Sequence, residues 1–161
     1  VVALAALVTV SLAGARSAGS QTATVDTAPA FSMSDLRDPT SVVHFDGHPA
    51  RPTVINFFGA WCLDCRDELP HLAAEARARP GVDVLLVDVQ DVRTDAIDLL
   101  EQTGADFPAG SDPSKEIARR YRLRGMPATV VVAPGGKVVA MHQGPVNRRE
   151  LARLLDRLEG S

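Results

Sequence analysis

Apolar and polar positions along the chain fall into segments of distinct period. Thr53 to Phe58 (TVINFF) is a nearly continuous run of β-branched and aromatic residues, which predicts a central strand buried on both faces. Val82 to Val89 (VDVLLVDV) is a second run of this kind. Between them Leu69, Leu72, Ala73 and Ala76 recur at helical spacing, and Pro80-Gly81 should stop that helix near Arg79. Thr94 is expected to cap the start of the next helix and Gly104 its end. Asp112-Pro113 then opens a short helix running through Tyr121. Ala128 to Ala133 and Lys137 to His142 read as strands joined by the turn Pro134-Gly135-Gly136. Asn147, with Glu150 three residues on, caps a last helix whose Leu151, Leu154, Leu155 and Leu158 form one stripe. Upstream, Val42, Val43 and Phe45 suit a small β-hairpin ending at Asp46-Gly47.

Two parallel strands joined by a helical crossover, followed by an antiparallel hairpin, predict an α/β domain with a mixed central sheet flanked by helices on both faces. This domain is expected over residues 30–161. Residues 16–29, rich in Ser, Ala, Gly, Thr and Gln, read as a flexible linker. Val1 to Gly14 is apolar except for Thr9 and Ser11, and falls short of the roughly 20 residues that cross a bilayer. Residues 1–15 are therefore expected to be a truncated hydrophobic anchor, or else a signal segment with Ala13-Gly14-Ala15 as its cleavage motif. Either places the domain outside the cytoplasm, in the periplasm or on the outer face of the membrane, and the anchor is preferred.

Composition narrows the chemistry. The formal net charge is −3 with acids and bases mixed along the chain, and seven aromatics supply no stacking platform, so a nucleic-acid partner is not expected. Both cysteines lie in Cys62-Leu63-Asp64-Cys65, which excludes a disulfide scaffold. The motif follows a buried strand and opens a helix, so Cys62 sits at the helix N-terminus, where unpaired N–H groups and the dipole stabilise a thiolate. At pH 7 a thiol of pKa about 8.5 is only about 3% thiolate, and one of pKa near 7 is about half ionised. Intrinsic nucleophilicity lost along the way leaves roughly a three-fold gain. The larger benefit is Cys65, a resolving thiol held three residues away at high effective concentration.

Other uses of the pair fit less well. Zinc needs two further ligands, and His44, His48, His71 and His142 show no ligand pairing. Haem attachment needs a histidine where Arg66 stands. A structural disulfide closing so short a loop adds little stability. Redox chemistry remains, with the Cys62–Cys65 disulfide itself as the redox group and no cofactor or metal.

Val54-Ile55-Asn56-Phe57-Phe58-Gly59-Ala60-Trp61-Cys62-Leu63-Asp64-Cys65-Arg66-Asp67-Glu68-Leu69-Pro70 resembles the thioredoxin-like TlpA/ResA/DsbE group of membrane-tethered bacterial thiol–disulfide reductases. Arg124 to Val130 (RGMPATV) resembles that group's cis-proline loop and following strand, and the likeness runs from about Pro29 to Leu158. It implies a thioredoxin fold, Cys62 attacking, Cys65 resolving, and Trp61 packed beside them. Pro127 would be cis and face the disulfide, with Met126 offering backbone hydrogen bonds to an extended substrate peptide. Glu68 matches a carboxylate that exchanges protons with the thiols, and its desolvation beside the apolar stripe should raise its pKa. Pro70 should kink the helix by removing one backbone donor.

The sequence departs from the pattern at three positions. Asn56 replaces the buried Asp of thioredoxin and cannot shuttle a proton, which places more weight on Glu68. Asp64 stands where many relatives have proline, and its charge should disfavour the Cys62 thiolate. Leu63 puts an apolar side chain in a position often small or polar, for which nothing in the sequence gives a mechanism. Peroxiredoxins carry Thr three residues before the reactive Cys, and Gly59 is there instead.

The expectation is thus an enzyme, a protein-disulfide reductase working through a mixed disulfide. Its partners would be a protein or peptide thiol or disulfide and a membrane electron donor, with apocytochrome c as one candidate substrate. A disulfide oxidant or isomerase, and a thioredoxin-fold binding module without turnover, are the alternatives. A monomer is expected.

Overall fold

A computed structural model describes residues 25–160. The expected anchor or signal segment and residues 16–24 of the expected linker lie outside these. Seven strands form one mixed sheet: β1 (Phe31–Asp35), β2 (Val42–Phe45), β3 (Thr53–Phe58), β4 (Asp83–Val89), β5 (Ala109–Asp112), β6 (Ala128–Val132) and β7 (Val138–Gln143), in the order β2-β1-β5-β4-β3-β6-β7. Strands β3, β4 and β5 run parallel, and the hairpins β1-β2 and β6-β7 join antiparallel at the two ends. The helices are α1 (Leu63–Ala78), α2 (Arg93–Thr103), α3 (Glu116–Arg120) and α4 (Arg148–Asp156), followed by a 3-10 turn, Arg157–Gly160.

The two apolar runs behave as their composition dictates. Every residue of β3 is buried, as is all of β4 except Asp83, because a central parallel strand has no solvent face. Alternate side chains feed two cores. Val54, Phe58 and Leu86 pack with Leu69, Leu72, Leu99, Leu100, Leu151 and Leu155 of α1, α2 and α4. Ile55, Phe57 and Val87 pack on the other face with Phe31, Phe45, Ile117 and Tyr121.

At two helix starts the structure differs from the sequence expectation. Helix α2 starts at Arg93 with Val92 at its cap position and no side-chain cap bond, so Thr94 lies inside the first turn. Asp91 accepts the Val92 N–H instead, at 2.7 Å. Helix α3 begins at Glu116, after Lys115 in a left-handed conformation (φ 58°). Asp112 is therefore the last residue of β5, and its Oδ2 reaches into the helix to accept the Ala118 N–H at 2.9 Å. Strand β5 (AGSD) carries no apolar alternation and was not expected. It is set by its neighbours, since a Cβ at Gly110 would clash with Met33 of β1. The Gly104 C-cap (φ 64°) and the Asn147–Glu150 capping box form as expected.

The end of the expected linker is already part of the domain. Thr27 bridges Lys137, the Val138 N–H donates to Asp26 at 2.9 Å, and the Ala28 N–H donates to Gly136 at 2.8 Å.

Candidate active site

Strand β3 ends at Phe58, and the next four residues carry the chain over the sheet edge into α1. Gly59 makes that turn possible: a Cβ there would lie 2.5 Å from Nε1 of Trp61, whose ring folds back over it. Two bonds from the far end of β4 strap this loop. The Trp61 indole N–H donates to the Val89 carbonyl at 3.0 Å, and the Ala60 N–H donates to Asp91 Oδ2.

Cys62 is the N-cap residue of α1, and its Sγ accepts the Cys65 N–H at 3.2 Å. The pair forms a closed disulfide with Cα atoms 5.3 Å apart. Cys62 retains 6% exposure and Cys65 none, so the first sulfur is the accessible one, although less open than a surface thiol. Trp61 at 54% and Leu63 at 78% exposure flank Cys62 with apolar surface, the setting in which Leu63 acquires a rationale. Asp64 is exposed on the first turn.

The Met126–Pro127 bond is cis. Pro127 immediately precedes β6, whose Ala128 pairs with Phe57 near the end of β3, so the proline loop and the Cys62 loop leave neighbouring strands at the same end of the sheet. Met126 is half-buried and lines a cleft with Trp61. Pro127 is buried, and its carbonyl accepts the Gly144 N–H at 2.9 Å.

Glu68 lies one helical turn after Cys65 and is 2% exposed. Its Oε1 accepts the Asn56 side-chain amide at 2.7 Å and the Thr129 hydroxyl at 3.1 Å, and its Oε2 accepts the Val146 N–H at 2.9 Å. Burial raises the carboxyl above its ordinary range, opposed by these three donors and by the charge of His142. The desolvated glutamate expected from the helical wheel is present, but its partners were not foreseen. Thr129 and Val146 come from β6 and the loop after β7. His142, expected to be an ordinary surface or loop residue, is half-buried on β7 opposite Thr129. The one sequence signal was Thr129 itself, a polar residue inside an apolar run.

A second buried acid also escaped notice. Asp88, fully buried on β4, faces Phe58 of β3 and Ser111 of β5 across the ladder, and its Oδ1 has no partner. Burial foremost, then the negative charge of Asp91, push its carboxyl up to about 7. Among the described residues no cluster of three His, Cys, Asp or Glu could hold a metal ion.

The profile of the AhpC/TSA family matches residues 24–141. The chain belongs to the AhpC/TSA family. Among its relatives in this thioredoxin-like family is the thiol-disulfide oxidoreductase ResA of Oceanobacillus iheyensis, 27% identical over 140 residues, covering 84% of this chain and 69% of the relative. The thiol:disulfide interchange protein DsbE of Allochromatium vinosum is 28% identical over 138 residues, covering 83% and 76%. The fold is shared with a secreted Mycobacterium tuberculosis disulfide oxidoreductase homologous to Escherichia coli DsbE, at a TM-score of 0.69, 23% identity, and coverage of 81% and 96%. With its Cys62–Cys65 pair at the head of α1, this AhpC/TSA-family chain is a thiol–disulfide oxidoreductase of the ResA/DsbE type.

Proposed function

We propose that the protein reduces protein disulfides outside the cytoplasm, with Cys62 as the attacking thiol, Cys65 as the resolving thiol and Glu68 as their proton-exchange partner. The observation that carries this reading is the graded burial of three groups along one helix: Cys62 at the cap with slight access, Cys65 sealed below it, and Glu68 sealed one turn further.

The reduced enzyme attacks through the Cys62 thiolate, which forms one S–S bond to substrate and expels the substrate's other sulfur as thiolate. Cys65 then gives its proton toward Glu68 and attacks Cys62 Sγ, which closes the Cys62–Cys65 disulfide and releases the second substrate thiol. Two electrons pass to the substrate, and a dithiol donor must return them. A carboxylate whose pKa is raised by burial suits the middle step, because it holds a proton more readily than an exposed glutamate and so can both take one and give it back. Trp61 and Leu63 offer an apolar rim to the peptide, and Met126, next to the buried Pro127, lines the cleft beside Trp61.

The apolar stretch Val1 to Gly14 and the polar residues after it support an extracytoplasmic, membrane-anchored domain fed by a membrane electron donor. Likeness to ResA and DsbE makes apocytochrome c a candidate substrate.

The test is a redox titration in thiol–disulfide buffers followed by Trp61 fluorescence. A potential at or below roughly −250 mV supports the reductase, whereas one above roughly −180 mV assigns an oxidant or isomerase. Without a reversible two-electron transition only a binding module is left, and Cys62→Ser would then retain its function.

A further inference from the structure

Between Trp61 and the proline loop lies a cleft of about 160 Å³ whose walls include Met126, Lys115, Arg119 and Arg124. All three cations are exposed. Of the other basic side chains, Arg37, Arg51, Arg79, Arg120 and Arg148 make ion pairs, Arg66, Arg77 and Arg93 donate to carbonyl oxygens, and Arg122, Lys137, Arg149, Arg153 and Arg157 make neither kind of contact but lie outside this cleft. Lys115, Arg119 and Arg124 likewise have neither an ion pair nor a side-chain hydrogen bond, and among the described cations without such contacts they are the ones that line the cleft with Trp61. Lys115 also occupies a left-handed backbone position (φ 58°), where asparagine or glycine would be the easier residue. On the other side of Trp61 the sign reverses, since Asp91, Asp95 and Asp98 line the neighbouring groove.

Solvated cations on a surface usually mean little. Here three lie within one cleft, the cleft is walled by the Trp next to the attacking sulfur, and the surface across that Trp is acidic. A peptide whose disulfide reaches Cys62 must place its flanking residues along this rim. We infer that the cleft is a specificity subsite for substrate segments carrying acidic side chains beside the cysteine. The inference rests on the peptide-disulfide reading of the site. Exposed charges act at a range of about 10 Å at 0.1 M salt, so the preference should appear mainly in the rate of productive encounter and fade as salt rises.

The test compares two fluorogenic peptide disulfides that differ only in Asp or Lys on both sides of the cysteine. The expected result is a kcat/KM about tenfold higher for the Asp peptide at low salt, shrinking toward equality at 0.5 M salt. The double variant Lys115→Glu/Arg119→Glu, checked for an unchanged melting temperature, should invert the ratio; Arg124→Glu is the second variant if the double one melts early. Equal turnover of both peptides, or a ratio that survives charge reversal, overturns the subsite while leaving the reductase intact. Failure to turn over either peptide or a small uncharged disulfide overturns the reductase, and the subsite with it.

Discussion

The Asn56 side chain donates to Glu68 Oε1 at 2.7 Å while its own Oδ1 stays buried without a partner. An amide at this position of β3 orients the carboxylate without competing for its proton. A second acid in its place would force two carboxylates to share one site and split their titrations. In the proposed mechanism Asn56 thus leaves the proton exchange behind Cys65 to Glu68.

Replacing Glu68 by Gln should slow resolution of a trapped Cys62–peptide mixed disulfide by about 10²-fold, the low end for general acid–base catalysis. The check is stopped-flow release of a labelled thiol. Stability should respond too. Burial raises the folded-state pKa above the ordinary 4.5, so this group's contribution is full below that value and is lost as pH rises through the folded pKa. Glu68→Gln should flatten that part of the profile in denaturant titrations. Unchanged resolution kinetics would remove Glu68 from the mechanism.

Asp64→Asn tests the charge inside the motif. Removing a negative side chain from the first turn of α1 should stabilise the Cys62 thiolate, and with it the reduced form. The reduction potential is expected to rise by roughly 10–30 mV, where about 30 mV is a tenfold change in the equilibrium. Equilibration with glutathione reads this directly. An unchanged or lower potential would discard the idea that Asp64 makes the protein more reducing.

Asp88→Asn should stabilise the domain at pH 8 and do little at pH 4. The Asp88 carboxyl titrates near 7 in the folded state against 3.8 ordinarily, so the folded chain binds its proton longer than the unfolded one. Its effect is most favourable below about 4 and is lost as pH rises through 7. Each tenfold change in proton affinity is about 1.4 kcal/mol, so a gain of about 1–3 kcal/mol is expected above the folded pKa. Urea midpoints measured from pH 4 to 8 would show it. A variant that loses stability at pH 8 would mean that the charged form is accommodated by partners other than those described.

Much of this architecture was legible because it is written in local pattern. TVINFF and VDVLLVDV declare buried strands by composition, and Cys62 follows the first of them where a helix can begin. Pro127 and Glu68 were marked by family resemblance, and burial supplied the physical reason for Glu68. What escaped was nonlocal. Strand β5 has no apolar signature and exists because β4 and β1 offer it edges on both sides. Thr129, Val146 and His142 reach Glu68 only through the register of β6 and β7, which no window along the chain displays. Asp88 looked like one polar position in an apolar run, and only the sheet order reveals acids on neighbouring segments around it. The starts of α2 and α3 were misplaced for different reasons: α2 opens from Val92 with no side-chain cap bond for a pattern to mark, whereas the Ala118 N–H of α3 is held by Asp112, three residues ahead of the cap position at Lys115.

The pinning of Asp26, Thr27 and Ala28 against Gly136, Lys137 and Val138 has a geometric corollary. The turn between β6 and β7 lies at the pole where β3 begins, whereas Cys62 follows the end of β3. A six-residue strand spans about 20 Å, so the chain enters the domain at one pole and the reactive sulfur stands at the other. Any anchorage through residues ahead of Val25 therefore holds the domain by its base. In the proposed anchored arrangement, Cys62 thus faces away from the point of attachment, toward whatever thiol partner approaches from the opposite side.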